Sequence, residues 1–353
     1  MTYIILLLFC VILAFIVDRS KTDKKNLQYS IIVFSIIAFM LSLISAIRYN
    51  VGTDYSFTYV PTFNYIAQGA AKIRIDIGFY LLNQIIIWLT LNVQWVFIVT
   101  SFIINFLICA SIYKQISYRA LGVFIYICGT LYFFSMNGVR QTITMSIFYY
   151  SLTYVYQKRN KVKYFLLNLF GATMHLTAVM FLPLYFFIHK RLRRRTYLLI
   201  ILLLVILITP ITNLVGNYLL STKYSMYITN GAYNSLTSFN LSSILNLLCF
   251  LGYLFYSKKT SKNNVYLNIH FIGLIISLFL LRIPLVLRLF ISFRYIEFLS
   301  VPNLIADLNI TKRKRILIIV AVMIFYVVYL INGVYINNGN DVLPYRTIFG
   351  KES

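Results

Sequence analysis

Acidic side chains are scarce in this chain: eight Asp and Glu stand against 32 Lys and Arg over 353 residues. Charged residues of both signs make up 11%, against roughly 25% in a soluble domain. That deficit excludes an ordinary water-facing surface. The four cysteines, Cys10, Cys109, Cys128 and Cys249, all lie in apolar stretches. With no CxxC and no Cys/His spacing, they read as small core residues, and neither a metal nor a cofactor is expected. The six prolines do not pair between the two halves, and no internal repeat is visible. This argues against a transporter built from related halves with broken helices. A Gly-rich nucleotide loop, an HExxH motif and a Ser/His/Asp arrangement are also absent. The first stretch, 1–17, has no basic n-region and no small-x-small cleavage site, so it reads as a retained span.

What is abundant is hydrophobic, at 60% of the chain. Runs such as 197–210 and 316–331 are long enough, or nearly so, to cross a hydrocarbon core of about 30 Å. The net charge of +24 would suit nucleic acid, but the positive residues sit in short clusters between apolar runs. That is the positive-inside pattern of cytoplasmic membrane loops, so no nucleic-acid partner is expected. Six clusters hold 22 of the 32 Lys and Arg: 19–25, 114–119, 158–163, 190–195, 258–262 and 312–315.

If all six clusters are cytoplasmic, neighbouring clusters are separated by an even number of crossings. Pairs of spans at 119–135 and 141–156, 196–210 and 241–257, and 265–281 and 289–308 satisfy this. So does a tight hairpin of 164–174 and 176–188, with His175 at its tip. The interval from Lys25 to Lys114 holds three apolar stretches, 28–47, 77–91 and 95–113. The shortest, 77–91, is interrupted by Asn83, Gln84 and Asn92, so it is expected not to cross, and 55–71 is read the same way. The expected fold is all-α: a single polytopic membrane helical bundle over 1–353 with about 12 transmembrane helices. Residues 48–92 form an outer segment of interfacial or re-entrant helices after the second span. An outer loop at 211–240 and an outer tail at 333–353 complete the topology.

Exceptions to the charge bias mark the candidate chemistry. Lys72, Lys223 and Lys351 read as side chains snorkelling to lipid phosphate. Arg48, Arg140 and Arg294 each lie within a few residues of another polar group: Asp54, Gln141 and Glu297. An arginine at depth costs about 2.5–3.5 kcal/mol on insertion scales, so such residues need a reason. Arg294 and Glu297 are three apart and share a helix face, which suits either a buried structural ion pair or a binding role. His175 reads either as a base or as a hydrogen-bonded turn residue. Arginines match phosphate oxygens bidentately, and one carboxylate or histidine can accept a proton from a hydroxyl. A diphosphate leaves readily once its charge is neutralised. The set therefore suits transfer of a sugar from a polyprenyl-diphosphate carrier to a hydroxyl acceptor.

Arg48-Tyr49-Asn50-Val51-Gly52-Thr53-Asp54-Tyr55, followed by Tyr59, resembles the signature after the second span of the EpsG family. That family stands with the Wzy-like polymerases of exopolysaccharide, capsule and O-antigen. Asn137-Gly138-Val139-Arg140-Gln141 is similar to its second signature and His175 to its downstream histidine. Arg294-Tyr295 and 343–349 add to the likeness. Family members often carry an acid just before the Gly-Phe found here at Gly78-Phe79. In this chain the acid stands one residue earlier, at Asp76, and no role is carried over to it.

The resemblance implies a membrane glycosyltransferase of the bacterial cytoplasmic membrane. It would polymerise undecaprenyl-diphosphate-linked oligosaccharide repeats at the outer face, with membrane lipid and the pathway's flippase and chain-length regulator as partners. In that reading Arg140 and Arg48, with Arg294, hold the diphosphate. Asp54 or His175 takes the acceptor proton, and Tyr49, Tyr55, Gln141, Glu297 and Tyr345 contribute to substrate binding. The competing readings are a lipid-linked oligosaccharide flippase, a non-catalytic component of the assembly complex, and a membrane acyltransferase with a deep histidine.

Overall fold

A computed structural model describes residues 1–19, 24–69, 75–157, 159–221, 241–280 and 286–350. Among these residues the chain is helical and contains no strand. An isolated antiparallel bridge joins Arg48 to Thr347. Two compact units emerge, Met1–Tyr185 with Val301–Ser353, and Phe186–Ser300.

In the first unit, α1 (Thr2–Arg19) and α2 (Lys24–Ala46) are followed by a π-helical turn, Tyr55–Tyr59, and α3 (Val60–Ala67). Next come α4 (Ile77–Leu89), α5 (Gln94–Gln115), α6 (Arg119–Cys128), α7 (Leu131–Asn137) and α8 (Val139–Ser151). After the short α9 (Thr153–Tyr156), α10 (Lys161–Met174) leads through His175 into a 3₁₀ segment, Leu176–Phe186. The most extensive pairing is α2 with α5. Ala38, Ser42 and Ala46 recur every four residues on α2, and such small side chains let helix backbones approach closely. Ser42 Oγ donates to Ser101 O at 3.3 Å, and Ser101 Oγ to Ser45 Oγ at 2.9 Å.

Side-chain contacts define two ends of this unit. At one end Asp18 accepts from the Arg119 and Ala120 N–H groups, Lys114 donates to Tyr150, and Lys163 lies over Tyr154. These contacts involve the second and third basic clusters and Asp18, which adjoins the first. At the other end Tyr3 donates to Val342 O, and Gln94 to Arg48 O. Helix α1 spans the distance between the ends, about 27 Å for its 18 residues. Helix α4 behaves differently. It begins at Asp76, beside Arg140, and the chain after it reaches Gln94, which is bound to Ala46 O and Arg48 O. Both flanks of α4 are therefore at the Arg48 end.

The second unit contains α11 (Arg194–Leu220), α12 (Leu241–Tyr256), α13 (Ser261–Leu280), α14 (Leu287–Arg294) and the start of α15 (Glu297–Asp307). Arg191 donates to Tyr253 O and Leu254 O, satisfying carbonyls left over at the end of α12. Asn268 donates to Ile188 O and Lys190 O and accepts from Tyr197.

The expected 12 crossings are not reproduced as 12 long helices. Among the described residues six helices are long and apolar enough to span: Thr2–Arg19, Leu27–Ala46, Gln94–Gln115, Arg194–Val215, Leu287–Asp307 and Lys312–Ile336. A seventh arises if α6 and α7, bent by 48° at Gly129-Thr130, form one broken span. The remaining expected spans form helices too short or too polar to count among these. At 1.5 Å per residue, the 14 residues of α10 cover only about 21 Å. Asn263, Asn264, Asn268 and His270 dilute α13. Lys72, Arg74, Lys223, Arg282, Lys351 and most of the expected outer loop 211–240 lie outside the described residues.

Gly78 permits the contact between α4 and α10, because a Cβ there would lie 2.9 Å from the Thr173 carbonyl carbon. Gly78→Ala is expected to lower stability by about 1–3 kcal/mol, as overpacking does. Thermal unfolding of the detergent-solubilised protein checks this. Adding Thr173→Ala should restore only part of the loss, since the backbone itself is in the way.

Candidate active site

The Arg48 end is built around a buried guanidinium. Helix α2 stops at Ala46, and the chain turns through Asn50 (φ 49°) and Gly52 (φ 91°). A side chain at Gly52 would be strained by its φ, and its Cβ would lie 2.8 Å from Met136 O. Arg48 is 0% exposed. Its Nη1 donates to Ser45 O, to Ser45 Oγ at 3.1 Å and to Ser101 Oγ at 3.4 Å, while Nη2 reaches Met136 O at 3.3 Å. The guanidinium also lies over the Phe97 ring at 4.7 Å. No carboxylate faces it among the described residues. Burial pushes Arg48 down to about 10, opposed by the Tyr59 and Tyr55 phenols, so it remains charged at neutral pH.

Around this charge the two signature segments and the tail are tied together. Tyr49 N donates to Arg346 O at 3.0 Å and Ile348 N to Ile47 O at 3.0 Å. Gly52 N donates to Asp341 O, and Tyr345 Oη to Ile44 O at 2.8 Å. Asp54 N donates to Asn137 Oδ1 at 2.9 Å, and Tyr59 Oη to Asn137 O at 3.1 Å. Asp54 sits at the start of the Tyr55–Tyr59 turn, where a carboxylate complements the helix dipole, and accepts from Thr58 Oγ1 at 3.2 Å. Burial, reinforced by Asp54, pushes the Tyr59 hydroxyl up to about 12. Burial likewise pushes Tyr345 up to about 12, against the pull of Arg48.

The charged groups that meet in reach of solvent are Arg140, His175 and Asp76. Asp76 Oδ2 receives Arg140 Nη1 at 3.0 Å and lies 3.3 Å from His175 Nδ1. Its Oδ1 accepts the Leu176 N–H at 3.3 Å. Side-chain exposures of 24%, 21% and 18% for Arg140, Asp76 and His175 leave each open to a ligand. Three elements converge here. Asp76 stands at the N-cap position of α4 with its side chain turned to Arg140 and His175, Arg140 opens α8 beyond the Gly138 break, and His175 stands extended where α10 ends. With Nδ1 donating to Asp76, the lone pair of His175 falls on Nε2, the form a general base needs. Arg140 also lies 5.8 Å over the Phe79 ring. Its Nε and Nη2 carry no hydrogen bond among the described residues.

The expected site residues thus divide. Arg140 and His175 come together, and the residue that joins them is Asp76, to which the sequence had assigned no role. An acid immediately before a helix start, two residues from a glycine at a tight contact, was the available signal. Arg48 was expected to hold an anion; it is enclosed, its Nη donors face protein oxygens, and its Nε is buried without a partner, an arrangement that organises the backbone. Gln141 is buried beside Arg140. Tyr49 and Tyr55 line a cavity with Asn50, Ser56, Asn92 and Gln94. Tyr345 braces the tail. Arg294 and Glu297 belong to the second unit, where they face each other at 3.6 Å with exposures of 3% and 2%. They stand at the junction of α14 and α15, within one 21-residue apolar helical run. The deep histidine of that unit is His270, held by Asn246 Oδ1 at 2.8 Å and Ser300 Oγ at 2.8 Å and fully enclosed. The described residues hold no cluster of three or more metal-ligating side chains.

A helical membrane protein with a carboxylate-bridged arginine and histidine is the class this fold and site define. The EpsG family model matches residues 31–347, and the chain belongs to the EpsG family. Membership and the long apolar helices together place it in the membrane and point to exopolysaccharide biosynthesis. No curated protein and no solved structure matches the chain.

Arg48→Lys is expected to destabilise the protein by at least about 2 kcal/mol, because one ammonium cannot serve Ser45, Ser101 and Met136 at once. Chemical unfolding in detergent measures it. A variant as stable as the parent would remove the organising role.

Proposed function

We propose that the chain is a membrane glycosyltransferase that polymerises polyprenyl-diphosphate-linked oligosaccharide repeats at the outer face of the bacterial cytoplasmic membrane. The observation that carries this reading is the single Asp76 oxygen shared by Arg140 and His175. It sets a cation and a base side by side, which is what glycosyl transfer from a diphosphate requires.

In this mechanism an acceptor hydroxyl attacks the anomeric carbon of the donor sugar. A new C–O bond forms, and the bond from that carbon to the diphosphate oxygen breaks. His175 Nε2 takes the hydroxyl proton. The diphosphate leaves with its electron pair, its developing charge met by the outer edge of the Arg140 guanidinium. Asp76 keeps the histidine in its tautomer and fixes both side chains, as the carboxylate does in other base-orienting arrangements. Family membership supports a polysaccharide product, and the flippase and chain-length regulator of the same pathway would be its partners. Asp54 is the less suitable base, because its carboxylate stands at the start of the Tyr55–Tyr59 turn and accepts from Thr58 Oγ1.

Arg140→Ala and His175→Gln are each expected to reduce chain growth at least about 100-fold, the lower end of general-base contributions. In cells this appears as loss of the long-glycan ladder with accumulation of single repeats on the carrier. An unchanged ladder in Arg140→Ala would contradict the reading.

A further inference from the structure

We propose that the cavity between Tyr49, Tyr55 and Asn92 is the acceptor-glycan subsite, a pocket for uncharged sugar rings separate from the diphosphate-binding arginine. The inference rests on the glycosyl-transfer reading above and adds where the second substrate sits.

The cavity measures about 470 Å³, within the roughly 300–1,000 Å³ range of small-molecule sites. Among the described residues its walls carry no charged side chain, although the chain as a whole has a net charge of +24. They offer two tyrosine rings, amides from Asn50, Asn92 and Gln94, the Ser56 hydroxyl and apolar Val60, Val93 and Ile348. A lining of this kind suits a ligand with an apolar C–H face and many hydroxyls, and offers nothing to neutralise a phosphate. The Tyr49 and Tyr55 rings stand 6.1 Å apart at 78°, forming a corner.

The wall is pre-set before any ligand arrives. Gln94 accepts from Tyr55 Oη at 3.2 Å and donates to Ala46 O and Arg48 O. Asn92 Oδ1 accepts from Gln94 N at 2.9 Å, which leaves the Asn92 amide hydrogens for a ligand. The tail closes one side, because Ile348 is anchored to Ile47 O.

A row of rings links the cavity to the charged site. Tyr55 stacks on Phe97 at 4.3 Å, Phe97 meets Tyr59 at 6.1 Å, Tyr59 meets Phe79 at 5.8 Å, and Phe79 lies under Arg140. The donor, with its diphosphate, belongs at Arg140 and His175. The uncharged pocket on the other side of the rings is then left for the sugar that receives the chain.

The test is binding of the repeat-unit oligosaccharide itself. It is released by mild acid from the lipid carrier of cells lacking this protein and titrated by saturation-transfer NMR against the full chain in nanodiscs. Sugar C–H protons should show transfer with the parent protein. Ser56→Trp, which fills the cavity from an exposed position, should raise the Kd at least about tenfold. Asn50→Ala with Asn92→Ala should weaken binding in the same direction if the bulky variant does not fold. Absence of transfer with the parent, or an unchanged Kd in the folded Ser56→Trp variant, overturns the proposal. The glycan ladder of Arg140→Ala separates this from the function itself. A lost ladder with unchanged Ser56→Trp binding removes the subsite alone. An intact ladder with cavity-dependent binding makes the pocket a glycan site but not an acceptor site of this reaction, and so also overturns the proposal.

Discussion

The Arg48 guanidinium is the constraint on which the Arg48 end of the first unit depends. A buried charge without a counter-ion costs several kcal/mol unless its donors are met by oxygens. Here the oxygens come from three places in the chain: the last turn of α2, Ser101 on α5 and the carbonyl of Met136 before α8. Satisfying one side chain therefore fixes the relative positions of three helices. Met136 immediately precedes Asn137 and Gly138, whose break starts α8 with Arg140 near its first turn. The Phe97 ring supports the same cation and also stacks on Tyr55, so the aromatic row and the cavity wall inherit that placement.

The charged trio illustrates a different balance. Asp76 compensates Arg140, so the pair alone is close to neutral. What remains for a ligand is the outer edge of the guanidinium, with the part-exposed His175 imidazole beside it. Partial exposure keeps these groups available to a substrate, in contrast to Arg48 and to the Arg294–Glu297 pair, which are sealed. A diphosphate binding here gains directed hydrogen bonds more than net charge, which favours position over bulk attraction.

Much of this was legible in the sequence, in specific places. The alternation of apolar runs and basic clusters gave an all-helical membrane protein. The Asn137–Gln141 and His175 motifs pointed to two of the three charged residues that meet at Asp76. The span count was less legible, because hydrophobicity along a run does not report where a helix bends or ends. The bend at Gly129-Thr130 and the amides of α13 break or dilute runs that look continuous in composition. Asp76 was passed over because its displacement by one residue from the family pattern hid an acid at a helix start whose direction depends on the helix entry. Arg48 was visible, but not that its Nη donors face Ser45, Ser101 and Met136. A motif cannot distinguish an arginine that faces a ligand from one that faces its own backbone.

The central claim is that Asp76, Arg140 and His175 act as one unit. A set of single, double and triple substitutions, Asp76→Asn, Arg140→Ala and His175→Gln, with polymerisation rate as readout, tests it most directly. Groups that act together lose function non-additively. The account predicts that each single change removes nearly as much rate as the triple change. Independent effects that multiply across the set would contradict it.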